Sequence, residues 1–109
     1  MVRLGNALEP VQLAWMEEPG PWTVPHHLKA ITDAIQTPVA SGENIFGRET
    51  FQNLCDLQAV DIVHPDLATA GGILETKKIG DYAEDHGIGQ ALHYAGTPVS
   101  FMANVHSAA

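Results

Sequence analysis

The feature that most constrains this chain is a repeated one. Short apolar runs end in an acidic or imidazole side chain, and each is followed by a helical pattern. The end residues are Glu17, Glu43, Asp66 and His93, spaced 23 to 27 positions apart. A spacing of that size is what one strand, a loop, a helix and a return loop consume. The stretch Asp61–Gly72 shows the unit most clearly: Ile62-Val63 leads through His64-Pro65 to Asp66, and Gly71-Gly72 precedes a helical pattern that starts at Ile73. The order β-α-β-α-β-α-β-α predicts parallel strands joined by right-handed helical crossovers.

Strands are expected at Leu13–Met16, Pro38–Asn44, Ala59–Asp66 and Ile88–His93. Helices are expected at Arg3–Gln12, interrupted by Pro10, and at Val24–Gln36, starting from Pro25. Further helices follow at Arg48–Leu57, at Ile73–His86 with a stop at Gly87, and from Pro98 to the end. The fold class is α/β, with consecutive βα units forming about half of a TIM-type (β/α) barrel, because a closed barrel needs about 250 residues. Residues 1–109 are thus expected to be one partial barrel domain, beginning and ending inside helical patterns. Such a piece exposes two strand edges, which invite pairing with a second copy. An open doubly wound sheet is the alternative, but no βα turn carries a Gly-x-Gly-x-x-Gly or Walker pattern.

Charge and composition narrow the partners. The formal net charge is −8 and there is no basic stripe beyond Lys77-Lys78. Nucleic acid and anionic membrane surfaces are therefore not expected as partners. No apolar run approaches the roughly 20 residues of a membrane span, and the first residues do not form a secretory signal, so a cytoplasmic setting is expected. The lone Cys55 has no internal disulfide partner and is read as a small buried hydrophobe.

Parallel α/β folds collect their chemistry at the carboxyl ends of their strands. There Glu17 and Glu43, on adjacent strands, form an oxygen ligand pair suited to Mg²⁺, which keeps several waters and uses few protein carboxylates. Asp66 and His93 form a carboxylate–imidazole dyad, in which the acid orients the ring and leaves its other nitrogen to move a proton. The plainer alternatives are strand-end acids paired with Arg48 or Lys29, and a histidine held by a neighbouring acid for structure alone. By alternation His64 shares a face with Asp66, where it either supports the site residues from behind or, the preferred reading, simply packs. His26 and His27 open a helix and face solvent, and His86 sits near a helix end. Spacing with Met102 turns His106 inward. Trp22 either walls the site or covers the barrel rim.

Taken together, Trp15-Met16-Glu17-Glu18-Pro19, Gly42-Glu43-Asn44, Pro65-Asp66 before Gly71-Gly72, and His93 resemble the mandelate racemase/muconate lactonizing enzyme family of the enolase superfamily. The resemblance runs through nearly the whole chain. It implies an enolase C-terminal domain-like barrel with strands four to seven present. Glu17 and Glu43 would be Mg²⁺ ligands and Asp66 and His93 the catalytic dyad. Glu18, Asn44, Tyr94 and Thr97 would support the site or touch substrate. The family removes the proton α to a carboxylate, with Mg²⁺ stabilising the product anion.

The resemblance further implies that a third metal ligand and a Lys-x-Lys element precede Met1, that an acid follows Ala109, and that a capping domain lies outside the chain. The fragment alone is expected to be inactive and its parent homo-oligomeric. Where the lactonising branch places a lysine this chain has Asp66, which disfavours cycloisomerisation. The expected substrate is a small carboxylate. A sugar-acid dehydratase is preferred over a racemase of a 2-hydroxy acid, because Tyr94, Thr97 and Ser100 make a polar rim. Other classes remain: a non-catalytic barrel module that assembles with a complementary half, or a different metal-dependent barrel activity such as an aldolase or hydrolase.

Overall fold

The structure is a computed structural model and describes residues 1–109. Four short strands, β1 (Met16–Glu17), β2 (Val39–Ser41), β3 (Ile62–Val63) and β4 (Gly89–Gln90), form one sheet in that order. Every neighbouring pair is parallel. The helices are α1 (Val2–Leu8), α2 (Pro25–Thr32), α3 (Glu49–Asp56), α4 (Leu67–Ala70), α5 (Ile73–Asp85) and α6 (Pro98–Ala108). This is the expected α/β architecture of successive βα units, here four strands of a barrel-type sheet.

Local chemistry sets the boundaries. Pro25 and Pro98 stand in the first turns of α2 and α6, where the missing N–H costs nothing. Pro10 does not simply interrupt the first helix. It opens a 3-10 turn at Glu9–Val11, and Gln12 closes that turn in the left-handed region. α5 ends as expected before Gly87, whose φ of 71° carries the chain back toward β4.

Two expectations need correction. The segment between Asp66 and Gly71 is not a plain loop: Leu67–Ala70 is a helical turn with Asp66 as its N-cap and Gly71, at φ 113°, as its C-cap. The regular ladders are also shorter than the apolar runs. After Ser41 the chain turns at Gly42, φ 147°, and after His64 it meets Pro65, which has no N–H to give. Individual hydrogen bonds nevertheless continue the pairing, from Ala91 N to Val63 O at 3.0 Å and from His93 N to Pro65 O at 3.0 Å.

The core lies between the sheet and its helices. Val39 and Val63 are fully buried and pack in one apolar cluster with Leu28, Phe51, Leu54, Cys55 and Ile79. Each such Leu, Ile or Phe contributes roughly 1.5–3 kcal/mol by leaving water. Cys55 is free and buried, as its sequence setting implied. Trp22 packs half-buried against this cluster. His106 is exposed rather than turned inward, because α6 buries the polar line of Asn104 and Ser107 and leaves Met102 and Val105 open. No helix is long and apolar enough to cross a membrane.

Candidate active site

Asp66 is the pivot of the site because its two oxygens have separate tasks. Oδ1 accepts from Ala68 N at 2.7 Å and caps α4. Oδ2 stands 2.8 Å from His93 Nδ1. Capping satisfies an N–H that the helix cannot pair internally, and it also takes away the carboxylate's freedom to turn from the ring. His93 lies directly opposite, in an isolated parallel bridge with Asp66. Its backbone is held on both sides, by Pro65 O at 3.0 Å and by Asn104 Nδ2, which donates to His93 O at 2.9 Å.

The second nitrogen of His93 faces Glu43 at the end of β2, with Nε2 2.8 Å from Oε2. Glu43 is steadied by Asn44 Nδ2, which donates to Oε1 at 2.9 Å, and by the Thr69 hydroxyl, which donates to its backbone oxygen at 3.0 Å. Ionised carboxylates only accept. A ring set between two of them therefore bonds to both when it carries a proton on each nitrogen, the acid form of the dyad. Asp66 holds one nitrogen and the aim of the ring, so the nitrogen that such an arrangement can use to exchange a proton is Nε2, on the Glu43 side.

Glu17 stands at the end of β1 on the same rim. Trp15 Nε1 donates to its Oε2 at 3.3 Å, and His64 Nε2 is 3.7 Å from its Oε1. Glu18 turns the other way, at φ 47°, and ties β1 to β2 by accepting from Ser41 Oγ and Gly42 N, each at 2.8 Å. Gly42 has no substitute here: a Cβ would lie 2.6 Å from Phe51 Cε1 and 3.0 Å from the His64 backbone. Neither Lys29 nor Arg48 pairs with Glu17 or Glu43. Lys29 pairs with Asp33 at 2.5 Å, and Arg48 Nε is buried without a partner.

Glu17 and Glu43 keep 39% and 30% of their side-chain exposure, so both carboxylates are open to solvent. Two partly open carboxylates on adjacent strands suit Mg²⁺ in donor type. No three His, Cys, Asp or Glu side chains converge on one point that could hold a metal ion.

Of the sequence-derived candidates, Asp66, His93, Glu43 and Asn44 meet in one connected cluster. Glu17 lies beside it, and Glu18 braces it from beneath. Tyr94 and Thr97 stay apart. Tyr94 donates to Gly96 O at 2.7 Å and meets Phe101 edge-on, and exposed Thr97 starts α6 without capping it through its side chain. His64 is more than packing. It is buried, bonds through Nδ1 to Ala91 O at 2.8 Å, and sets its ring edge-on to His93 with centroids 5.3 Å apart. Its place two residues before Asp66 was the available signal. Asn104 carried none, because its partner is a backbone oxygen eleven positions away.

The four strands form a parallel βα sheet of barrel type, with carboxylates and a carboxylate-held histidine on one rim. The chain belongs to the enolase C-terminal domain-like family, whose profile matches residues 1–109. It is 38% identical to a D-xylonate dehydratase of Haloferax volcanii, over 98% of this chain and 26% of that protein. A crystal structure of a mandelate racemase/muconate lactonizing enzyme-like protein from Rubrobacter xylanophilus superposes with a TM-score of 0.95 at 38% identity, covering 99% of this chain and 27% of the other. An enolase from Agrobacterium radiobacter solved with sodium and L-malate matches at TM-score 0.91 and 30% identity, over 96% of this chain and 27% of that one. The chain thus spans about a quarter of the length of these relatives.

Proposed function

We propose that residues 1–109 supply strands four to seven of the barrel of a Mg²⁺-dependent sugar-acid dehydratase, acting on a small polyhydroxy carboxylate. The observation that carries this reading is His93 held at 2.8 Å by Asp66 on one nitrogen and by Glu43 on the other. The similarity to a D-xylonate dehydratase supports the substrate class, and the malate-bound relative supports a carboxylate ligand.

Dehydration of a sugar acid removes the proton on the carbon beside the carboxylate and the hydroxyl on the next carbon, which together leave as water. His93 takes up or delivers a proton at Nε2 in that exchange, and Asp66 orients it and steadies the charged ring. Glu17 and Glu43 would hold the cation, which when bound supplies positive charge to the substrate carboxylate as its neighbouring proton leaves.

The test uses the intact protein that carries this chain, with D-xylonate as the first substrate tried. His93→Asn is expected to lower water loss by about 10²–10⁴-fold, the span that one general acid or base contributes. Proton exchange in D₂O then assigns the role: lost exchange makes His93 the base, and retained exchange makes it the acid for the departing hydroxyl. Wild-type turnover in His93→Asn removes His93 from the reaction. A racemase reading uses the same dyad and is told apart by its product, an inverted acid with no water lost.

A further inference from the structure

We propose that Thr69 is a positioning residue of this site: its hydroxyl, reaching back from α4, sets the spacing of Glu43 and Asp66 so that one imidazole, His93, meets both. The inference rests on the metal-dependent dyad reading above and names the group that fixes the distance between its two carboxylates.

The sheet by itself does not fix that distance. Between β2 and β3 the last regular rung runs from His64 N to Ser41 O at 2.9 Å. In a parallel ladder the next rung, two residues further along each strand, would join Asp66 N to Glu43 O. That rung is absent, because the first chain turns away at Gly42, φ 147°, while the second enters α4 at Asp66. Glu43 O accepts from the Thr69 hydroxyl instead, at 3.0 Å. Across the other edge of β3 no substitute is needed. His93 N donates to Pro65 O at 3.0 Å, and Asp66 faces His93 in a parallel bridge. His93 is therefore registered to Asp66 through the backbone, whereas Glu43 is joined to the pair through side chains alone.

α4 is the frame that makes one hydroxyl sufficient. This single turn holds both acids, since Asp66 Oδ1 accepts from Ala68 N at 2.7 Å and Thr69 holds Glu43. The Thr69 hydroxyl also lies 3.2 Å from Asp66 O, but that oxygen already accepts from Thr69 N at 3.1 Å and Ala70 N at 2.8 Å. One proton serves one acceptor best, and the shorter contact is the one to Glu43. The turn is anchored by buried Leu67 and Ala70, and a β-branched side chain has few rotamers in which to stray. Asn44 is no replacement, because it sits beside Glu43 in the chain and moves with it. Loss of the Thr69 bond would free the Glu43 peptide to rotate, and with it the carboxylate that stands 2.8 Å from His93 Nε2.

The intact protein tests the assignment. Thr69→Val deletes the donor and keeps the shape, and Thr69→Ser restores the donor. A crystal structure of Thr69→Val should show Glu43 beyond hydrogen-bond reach of His93 Nε2, while the Asp66 contact stays because it rests on the Ala68 cap. Calorimetry should find Mg²⁺ bound about tenfold more weakly by Thr69→Val, the lower end of what supporting groups around a metal produce, and near wild-type strength by Thr69→Ser. With Glu43→Gln already present, Thr69→Val should change Mg²⁺ affinity little, since an effect that acts through Glu43 cannot be lost twice. Turnover of D-xylonate should fall by about tenfold in Thr69→Val and recover in Thr69→Ser. A Glu43–His93 contact that survives Thr69→Val, or Mg²⁺ losses that add in the double variant, overturns the proposal and leaves Thr69 a stabilising turn residue. Should wild type neither bind Mg²⁺ nor turn over D-xylonate, the dehydratase reading falls, and the crystal structure of Thr69→Val still decides the role of Thr69.

Discussion

His93 with Asp66 at the carboxyl end of the sheet, and His86 with Asp56 where α5 and α3 end, are the same two residue types in very different settings. Asp66 is pinned as a helix cap, its side chain 13% exposed, and its contact with His93 is 2.8 Å. Asp56 is 56% exposed and lies 3.3 Å from His86 Nε2. The His86 ring spends its other nitrogen on Tyr82 O and stacks on Tyr82 with centroids 4.5 Å apart, while the Tyr82 hydroxyl donates to Asp56 at 2.6 Å. The second cluster is a clasp between two helix ends. The first has a further carboxylate, Glu43, converging on the ring, and an open rim in front of it. The two histidine–acid pairs differ in how far their partners are held and in whether a third group meets the ring, not in composition.

The largest expected effect tests that contrast directly. In the intact protein, Asp66→Asn should lower turnover of a sugar acid by about 10²-fold or more, since it removes the group that fixes the ring tautomer. Asp56→Asn should leave turnover unchanged. Equal losses in both variants would break the comparison.

A step smaller is metal retention. Glu43→Gln should weaken Mg²⁺ by at least the roughly 10–100-fold that changes to supporting groups around a metal produce. Exchanging His86 for Asn should leave Mg²⁺ affinity untouched, as calorimetry would show.

Stability sharpens the point further. Gly42→Ala forces a side chain into a positive-φ site against Phe51 and the His64 backbone, so the rim and the core are disturbed together. It should cost about 1–3 kcal/mol, read from thermal unfolding of the intact protein.

The smallest effect belongs to the clasp. The hydrogen bond to Asp56, with burial and the nearby negative charge adding, holds the Tyr82 proton more firmly than usual, so its folded pKa is raised above 10.0. A raised folded pKa contributes stability that is present below the ordinary tyrosine range and is lost as pH rises through the folded value. Wild type should therefore melt slightly above Tyr82→Phe at pH 8, and the difference should close in strong alkali. Beneath the clasp, burial first and then Asp56 push the Cys55 thiol up to about 11, so iodoacetamide at pH 8 should label it on unfolding far faster than in the native state.

Much of this was legible in the chain. The recurrence of Glu17, Glu43, Asp66 and His93 located four strand ends, because a polar side chain that closes an apolar run must come to rest where the sheet meets solvent. The helix starts at Pro25 and Pro98 and the stop before Gly87 were legible for equally local reasons. The α4 turn was missed, since Asp66 read as a strand-end acid hides its second task as a cap. His64 was underrated because its partner, Ala91 O, is a backbone atom that no side-chain pattern announces. Tyr94 and Thr97 follow His93 closely in sequence, yet Tyr94 turns to Gly96 and Phe101, and Thr97 stays exposed at the start of α6.

The sequence by itself determined the alternation of strand and helix and the chemical type at each strand end, because hydrophobic period and turn chemistry act over a few residues. Only the tertiary structure decided which oxygen meets which nitrogen. Those contacts join residues 23 to 50 positions apart, such as Glu43 to His93 and Ser41 to Glu18, and depend on sheet register and on the angle at which each strand releases its chain. Register and release angle are set by the packing of the whole layer, and that is why identical residue pairs at the two ends of the sheet became a dyad in one place and a clasp in the other.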